Sequence, residues 1–179
     1  MSNGLKNMEL TLMKIILING AGGVGKDTFV QICQREHLKG HIWNISTVDL
    51  IKEAAQIMGW NGEKDERARK FLSDLKDLAT QYSDLSANYI RQKKSEAEQE
   101  GNVDAIFVHC REPEELGRLA EEFDAVTLLI KNNRVKPIKS NHADRCVESY
   151  FYDFTIENNG GILELTRKAV DFLKDAGVL

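Results

Sequence analysis

The chain has 179 residues and a mass of 20.2 kDa, room for one domain of ordinary size and enough to bury a core without disulfides or structural zinc. Its 24 Lys and Arg against 28 Asp and Glu give a formal charge of -4 and a pI near 5.6. This argues against a general nucleic-acid binder, whose surface carries a basic excess, and leaves room for a local basic cleft that takes a small anion. Cys33, Cys110 and Cys146 are odd in number and far apart, a pattern that predicts a reducing compartment rather than a disulfide framework or zinc site. No apolar run reaches the roughly 18 residues of a membrane span. The opening MSNGLKNMELTL lacks the apolar stretch of a signal peptide. Residues 1–12 therefore read as a disordered extension before a single domain over 13–179, and the protein is expected in the cytoplasm.

Met13 to Asn19 is a short apolar run ending in a glycine cluster, the pattern of a buried parallel strand. Apolar residues then recur at helical spacing from Gly25 to Leu38, through Phe29, Val30 and Cys33. His41 to Thr47 reads as a second strand and Asp49 to Met58 as a helix with Ser46 or Thr47 near its cap. Glu63 to Gln99 is charged and periodic, and predicts two helices broken around Tyr82 to Leu85 with a solvated outer face. A third strand follows at Val103 to Cys110, then a helix from Pro113 to Phe123 with its proline in the first turn. A fourth strand (Ala125 to Lys131), a weaker fifth (Tyr152 to Glu157) and a last helix (Ile162 to Asp175) complete the chain. Alternating strands and helices predict an α/β protein with a parallel sheet covered on both faces, its ligand at the carboxyl ends of the strands.

The residues after the first strand are Gly20, Ala21, Gly22, Gly23, Val24, Gly25, Lys26, Asp27 and Thr28. As G-x-x-x-x-G-K they form a phosphate-binding loop, whose backbone amides and following helix start surround a phosphate while Lys26 reaches the outer phosphates. As G-x-G-x-x-G the same letters match a dinucleotide fingerprint, with Asp49 as its ribose acid. A lysine in the first helical turn, a chain too short for two domains and the basic run Arg134, Lys136, Lys139 and Arg145 all favour the triphosphate reading. The Ser or Thr that follows the lysine in such loops and binds Mg²⁺ is Asp27 here. Its carboxylate can hold the metal, and Thr28 the α-phosphate; alternatively Asp27 only complements the helix dipole.

GKDT after the first strand, D-x-x-K at Asp49–Lys52 and the terminal YDFTIENNG resemble the P-loop nucleotide kinases. Within them the chain is most similar to deoxynucleoside monophosphate kinases, with dephospho-coenzyme A kinase and phosphomevalonate kinase as relatives. The resemblance implies a three-layer P-loop NTPase fold with a five-stranded parallel sheet, an acceptor-binding helical region over about 50–100 and a lid over about 132–151. It also implies ATP and Mg²⁺ as cofactors and a phosphorylated small molecule as partner, with no nucleic acid or membrane, in a monomer or homodimer.

The resemblance gives roles to particular residues. Asp49 orients the acceptor or steadies the metal beside Asp27, while Arg69 (in ERARKFL, with Arg67 as a rival) and Arg111 grip the acceptor phosphate. Arg134 and Arg145 arrive with the lid, and Asn158 and Gly160 border the donor base. Lys52 is as much a surface residue as a site residue, and His142 and Glu148 are lid positions. The third strand ends in HCRE, so the usual aspartate is missing there, with Glu112 a weak substitute and His109 and Cys110 read as core. Trp43 reads as packing and Trp60 as packing or acceptor lining. The expected activity is transfer of the ATP γ-phosphoryl group to a (deoxy)nucleoside monophosphate; simple NTP hydrolysis and a non-catalytic nucleotide-binding regulator are the alternatives.

Overall fold

The computed structural model describes residues 12–63, 65–135 and 147–179. The extension over 1–11 and the greater part of the lid, with Lys136, Lys139, His142 and Arg145, lie outside the described residues. Five strands, β1 (Lys14–Asn19), β2 (His41–Ser46), β3 (Val103–His109), β4 (Val126–Lys131) and β5 (Phe154–Glu157), form one sheet in the order β2-β3-β1-β4-β5. Every neighbouring pair is parallel. The described helices are α1 (Lys26–Glu36), α2 (Asp49–Ile57), α3 (Glu66–Ser83), α4 (Leu85–Glu100), α5 (Pro113–Phe123) and α6 (Ile162–Asp175), with a 3₁₀ turn at Val147–Ser149.

The central strand β1 is apolar from Ile15 to Ile18 because both of its faces are covered. Ile16 and Ile18 point to one side, where Phe107, Leu128 and Ile130 meet Phe29 of α1 and Leu165 and Phe172 of α6. Ile15 and Leu17 point to the other, where Ile106 and Val108 meet Ile90 of α4 and Leu116 and Leu119 of α5. Phe172 anchors the first layer, its ring edge-on to Phe29 and Phe154 at centroid separations of 5.7 and 5.2 Å. Such tilted contacts suit the ring quadrupole. The sheet is thus the middle of three layers, as expected from its alternation with helices.

The break between α3 and α4 falls at Asp84, which takes the left-handed conformation at φ 47° and is held by both guanidinium nitrogens of Arg118 at 2.8 Å. α3 begins at Glu66 rather than Glu63, because the Asp65 carboxylate accepts from Ala68 N at 2.7 Å and caps it. The start of α2 differs from the sequence expectation. Its cap position is Val48, and neither Ser46 nor Thr47 caps it. Instead Asp49 turns back so that its Oδ2 accepts from Ser46 N at 2.7 Å, while Thr47 N donates to His109 O at 3.2 Å. The exit of β2 is therefore tied sideways to β3. No described helix is long and apolar enough to cross a membrane.

Candidate phosphate-binding site

β1 delivers the chain to the carboxyl edge of the sheet at Asn19, whose side chain is wholly buried. Its Oδ1 accepts from Gly20 N at 2.7 Å, and its Nδ2 donates to Arg111 O at 3.0 Å and to Tyr152 Oη at 2.9 Å. The Tyr152 hydroxyl in turn donates to Val147 O at 2.8 Å. One amide therefore joins the loop entrance, the exit of β3 and the segment leading into β5. Burial pushes the Tyr152 phenol up to about 12, with the Asn19 hydrogen bond opposing, so the hydroxyl stays protonated through neutral pH. Tyr152→Phe leaves the Asn19 amide and the Val147 carbonyl short of a partner. It should cost about 1–3 kcal/mol of stability, read from the urea midpoint at unchanged m-value.

The glycines at the two ends of the loop have different reasons to be glycine. Gly20 has φ +148°, and a Cβ there would lie 2.4 Å from the Ile130 carbonyl oxygen; the loop runs against the backbone of β4 with no room for a side chain. Gly25 has φ +100° and a Cβ would meet Asn158 Nδ2 at 2.4 Å. That same nitrogen donates to Val24 O at 2.9 Å, and Asn158 N donates to Lys131 O at 2.7 Å, so the exit of β5 braces the loop. Lys26, the first residue of α1, folds its Nζ inward to donate to Gly20 O and, at 2.9 Å, to Ala21 O. The ammonium is thus held at the rim of the loop, beside the positive end of α1.

Asp27 and Thr28 are exposed next to it, Asp27 with 83% of its side chain in solvent. His109, read as core from the sequence, closes the carboxyl edge of β3. Its Nε2 donates to Asn44 Oδ1 at 2.9 Å and lies 3.6 Å from Asp27 Oδ1. Burial lowers its pKa; Asp27 and Asp49 oppose that, and Lys26 and Arg111 add to it. The imidazole is therefore neutral at pH 7, and its surroundings locate the loop, the start of α2 and the start of the β3–α5 connection in one electrostatic neighbourhood. Asp49 Oδ1 also has Lys52 Nζ at 3.4 Å. Asp27 and Asp49 are both carboxylates near His109 at this edge, and carboxylate oxygens are the hard ligands that Mg²⁺ takes.

The other sequence candidates are spread around this edge. Arg111 is exposed, with its carbonyl fixed by Asn19. Arg134 is exposed, its N donating to Asn132 Oδ1 at 2.9 Å; the Glu164 carboxyl at the start of α6 is held below the usual carboxylate range by the Lys168 hydrogen bond and charge first, with Arg134 a smaller contribution. Asn133 N donates to Asn159 Oδ1 at 2.8 Å, so the exits of β4 and β5 are stitched together. Gly160 sits against the exposed end of the Glu164 side chain, which can swing aside, so glycine is not required there. Arg69 is exposed on α3, with no side-chain hydrogen bond or ion pair to the loop among the described residues. Glu112 does not substitute for the missing aspartate: its Oε2 takes the Lys76 ammonium at 2.8 Å. A cavity of about 280 Å³ opens beside the loop, lined in part by Ala21, Val24, Ile130, Asn132, Val135 and Glu148.

Strand order, parallel register and a glycine loop leading into a lysine-headed helix define a P-loop NTPase fold. No protein-family model matches the chain, and no curated protein matches it. Among solved structures it is similar to TT1252 from Thermus thermophilus, with a TM-score of 0.59 and 18% identity over 91% of this chain and 97% of that one. It is also similar to the Deinococcus radiodurans tunicamycin resistance protein, with a TM-score of 0.56 and 12% identity over 93% and 97%. Shikimate kinase from Aquifex aeolicus overlaps more loosely, at a TM-score of 0.47 and 16% identity over 90% and 96%. At these identities the likeness is one of fold.

Proposed function

We propose that the protein transfers the γ-phosphoryl group of ATP to a small phosphorylated acceptor, with a (deoxy)nucleoside monophosphate as the favoured one. The observation that carries this reading is the braced Gly20–Gly25 loop with the Lys26 ammonium at its rim, at the carboxyl edge of the central strand. Lys26 and the loop hold the donor phosphates, and Thr28 lies beside the α-phosphate. Asn158, Gly160 and Arg134 border the base, while Asp27 and Asp49 hold Mg²⁺. When bound, the metal neutralises charge on the donor phosphates. Asp49, Arg69 and Arg111 place the acceptor, and Arg145 joins Arg134 when the lid closes and excludes water.

The acceptor favoured by this reading brings its own negative oxygen. In the transfer that oxygen bonds to the γ-phosphorus as the bond to the β,γ-bridging oxygen breaks, and ADP leaves. A phosphate acceptor is ionised at pH 7 and needs no base. The demand on the protein is then alignment and charge cancellation.

ADP release measured with a panel of monophosphates tests this. Acceptor-dependent release is expected; release indifferent to acceptor means a hydrolase, and nucleotide binding without turnover means a regulator. Arg111→Ala should raise the KM for the acceptor about 10- to 100-fold, the weight of a hydrogen bond to a charged group, with the KM for ATP nearly unchanged.

A further inference from the structure

Arg111, which the proposed function sets on the acceptor phosphate, is exposed, and its guanidinium has no hydrogen bond or ion pair among the described residues. What places it is the backbone it leaves from. Main-chain pairing of β3 with β1 ends one residue earlier, where Cys110 N donates to Ile18 O at 3.2 Å. Past that rung the two chains diverge, β1 into the Gly20–Gly25 loop and β3 towards α5. The next tie between them is a side chain: Asn19 Nδ2 donates to Arg111 O at 3.0 Å.

Asn19 is a firm anchor for that tie. Its backbone stays in register with Leu129 of β4, on the other side of β1. Its side chain is wholly buried, and both amide hydrogens and the carbonyl oxygen are used. Oδ1 accepts from Gly20 N at 2.7 Å, and the second Nδ2 hydrogen goes to Tyr152 Oη at 2.9 Å. The core does not ask for an amide here. Ile15 to Ile18 before it are apolar, and a buried amide costs free energy unless its groups are paired. An apolar residue of the same size would fill the space and bind none of the three partners.

We infer that Asn19 is a positioning residue for phosphoryl transfer. It holds the donor loop through Gly20 N and the Arg111 backbone through its carbonyl, and so fixes the acceptor arginine against the donor phosphates. The inference deepens the proposed function and rests on it. Transfer demands close alignment of donor and acceptor oxygens, and the segments that hold them are far apart in the chain. Asn19 and Arg111 are separated by 92 positions, and one amide joins them directly.

Asn19→Asp keeps the size of the side chain and the acceptor for Gly20 N, and removes both Nδ2 hydrogens. It should raise the acceptor KM about 10-fold or more and leave the KM for ATP within about 2-fold, the mark of a displaced acceptor ligand beside an intact donor loop. In an Arg111→Ala background the same change should move the acceptor KM by less than about 2-fold, because the arginine through which it acts is gone. Tyr152→Phe is the control. It removes the other Nδ2 partner at a cost in stability, and should leave the acceptor KM where it was. Asn19→Ser, which buries no charge, goes through the same cycle if Asn19→Asp does not fold.

Steady-state ADP release, with the monophosphate that the wild type uses best and below the melting transition of each variant, reads all of these. Losses that multiply across the two backgrounds, a KM unmoved by both Asn19 variants, or an equal rise in Tyr152→Phe would each overturn the inference and leave the proposed function standing. A wild type with no acceptor-dependent release would overturn both.

Discussion

Lys26→Met should lower kcat for phosphoryl transfer by at least about 10²–10³-fold, the effect of deleting one preorganised charge aimed at a developing anion. Its melting temperature should move by about 2 °C or less. The two expectations are separable because the lysine contributes little to the core. In the structure its ammonium rests on two carbonyls of its own loop, Gly20 O and Ala21 O. The loop itself is held by contacts that exclude Lys26: Asn19 at the entrance, Asn158 at the far end and the backbone of β4 against Gly20. A methionine keeps the stem and removes the charge. Phosphoryl transfer compresses negative charge onto oxygens between donor and acceptor, where the Lys26 charge would act. Full turnover in this variant would remove Lys26, and with it the donor site, from the reading.

Which parts of this arrangement were open to reading from the sequence follows from what each depends on. β1 and the loop are local. An apolar run with both faces buried, then glycines whose backbone must turn, then a lysine opening a helix, all lie within fifteen consecutive positions, and the structure keeps their order and bounds. The two-helix reading of Glu63 to Gln99 held for the same reason, since periodicity is a property of neighbours. What neighbours do not record is pairing across the sheet. His109 reads as the end of a core strand because four apolar residues, Ala105 to Val108, immediately precede it. It faces Asp27 and Asn44 only because β3 lies between β1 and β2. Asn19 and Tyr152, 133 positions apart, carry no signal of their hydrogen bond. Glu112 stood where a metal-binding acid belongs, and only the packing of α3 shows that a lysine already occupies it.

That lysine sets up the second large effect. Lys76→Met should destabilise the protein by about 3–5 kcal/mol at pH 8, the cost of stranding a buried partner charge, and lower the melting temperature by roughly 10 °C. The Lys76 side chain is 9% exposed and donates to Glu112 Oε2 at 2.8 Å and Glu115 Oε2 at 2.7 Å. Glu112 is half in water, whereas Glu115 is 12% exposed and cannot resolvate. Cys110, Glu112 and Glu115 lie close enough together to ligate a metal ion, but the ammonium already supplies the cation. Burial alone would push Lys76 down and Glu115 up. The opposite charges outweigh it, so Lys76 is raised and Glu115 lowered.

The pH dependence follows from those directions. In the wild type the depressed Glu115 contributes stability above its unfolded value of about 4.5, lost as pH falls through the folded one. The raised Lys76 contributes below about 10.5, lost as pH rises further. Stability should therefore be flat in these two groups between those limits. In Lys76→Met the cation is gone and burial governs Glu115, whose pKa then rises. Its protonated form becomes the better-folded one, so the variant should gain stability between pH 8 and pH 5, where the wild type does not.

Lys76→Met combined with Glu115→Leu should recover most of the loss at pH 8, because no buried charge remains unpaired. The pair also bears on function. Lys76 is an ion-pair link from α3, which carries Arg69, to the start of α5 just after Arg111, and so joins two segments that carry proposed acceptor ligands. Urea midpoints of the single and double variants at pH 5 and pH 8 decide the matter. A single variant whose stability does not depend on pH in that interval would show that Glu115 is not the stranded charge.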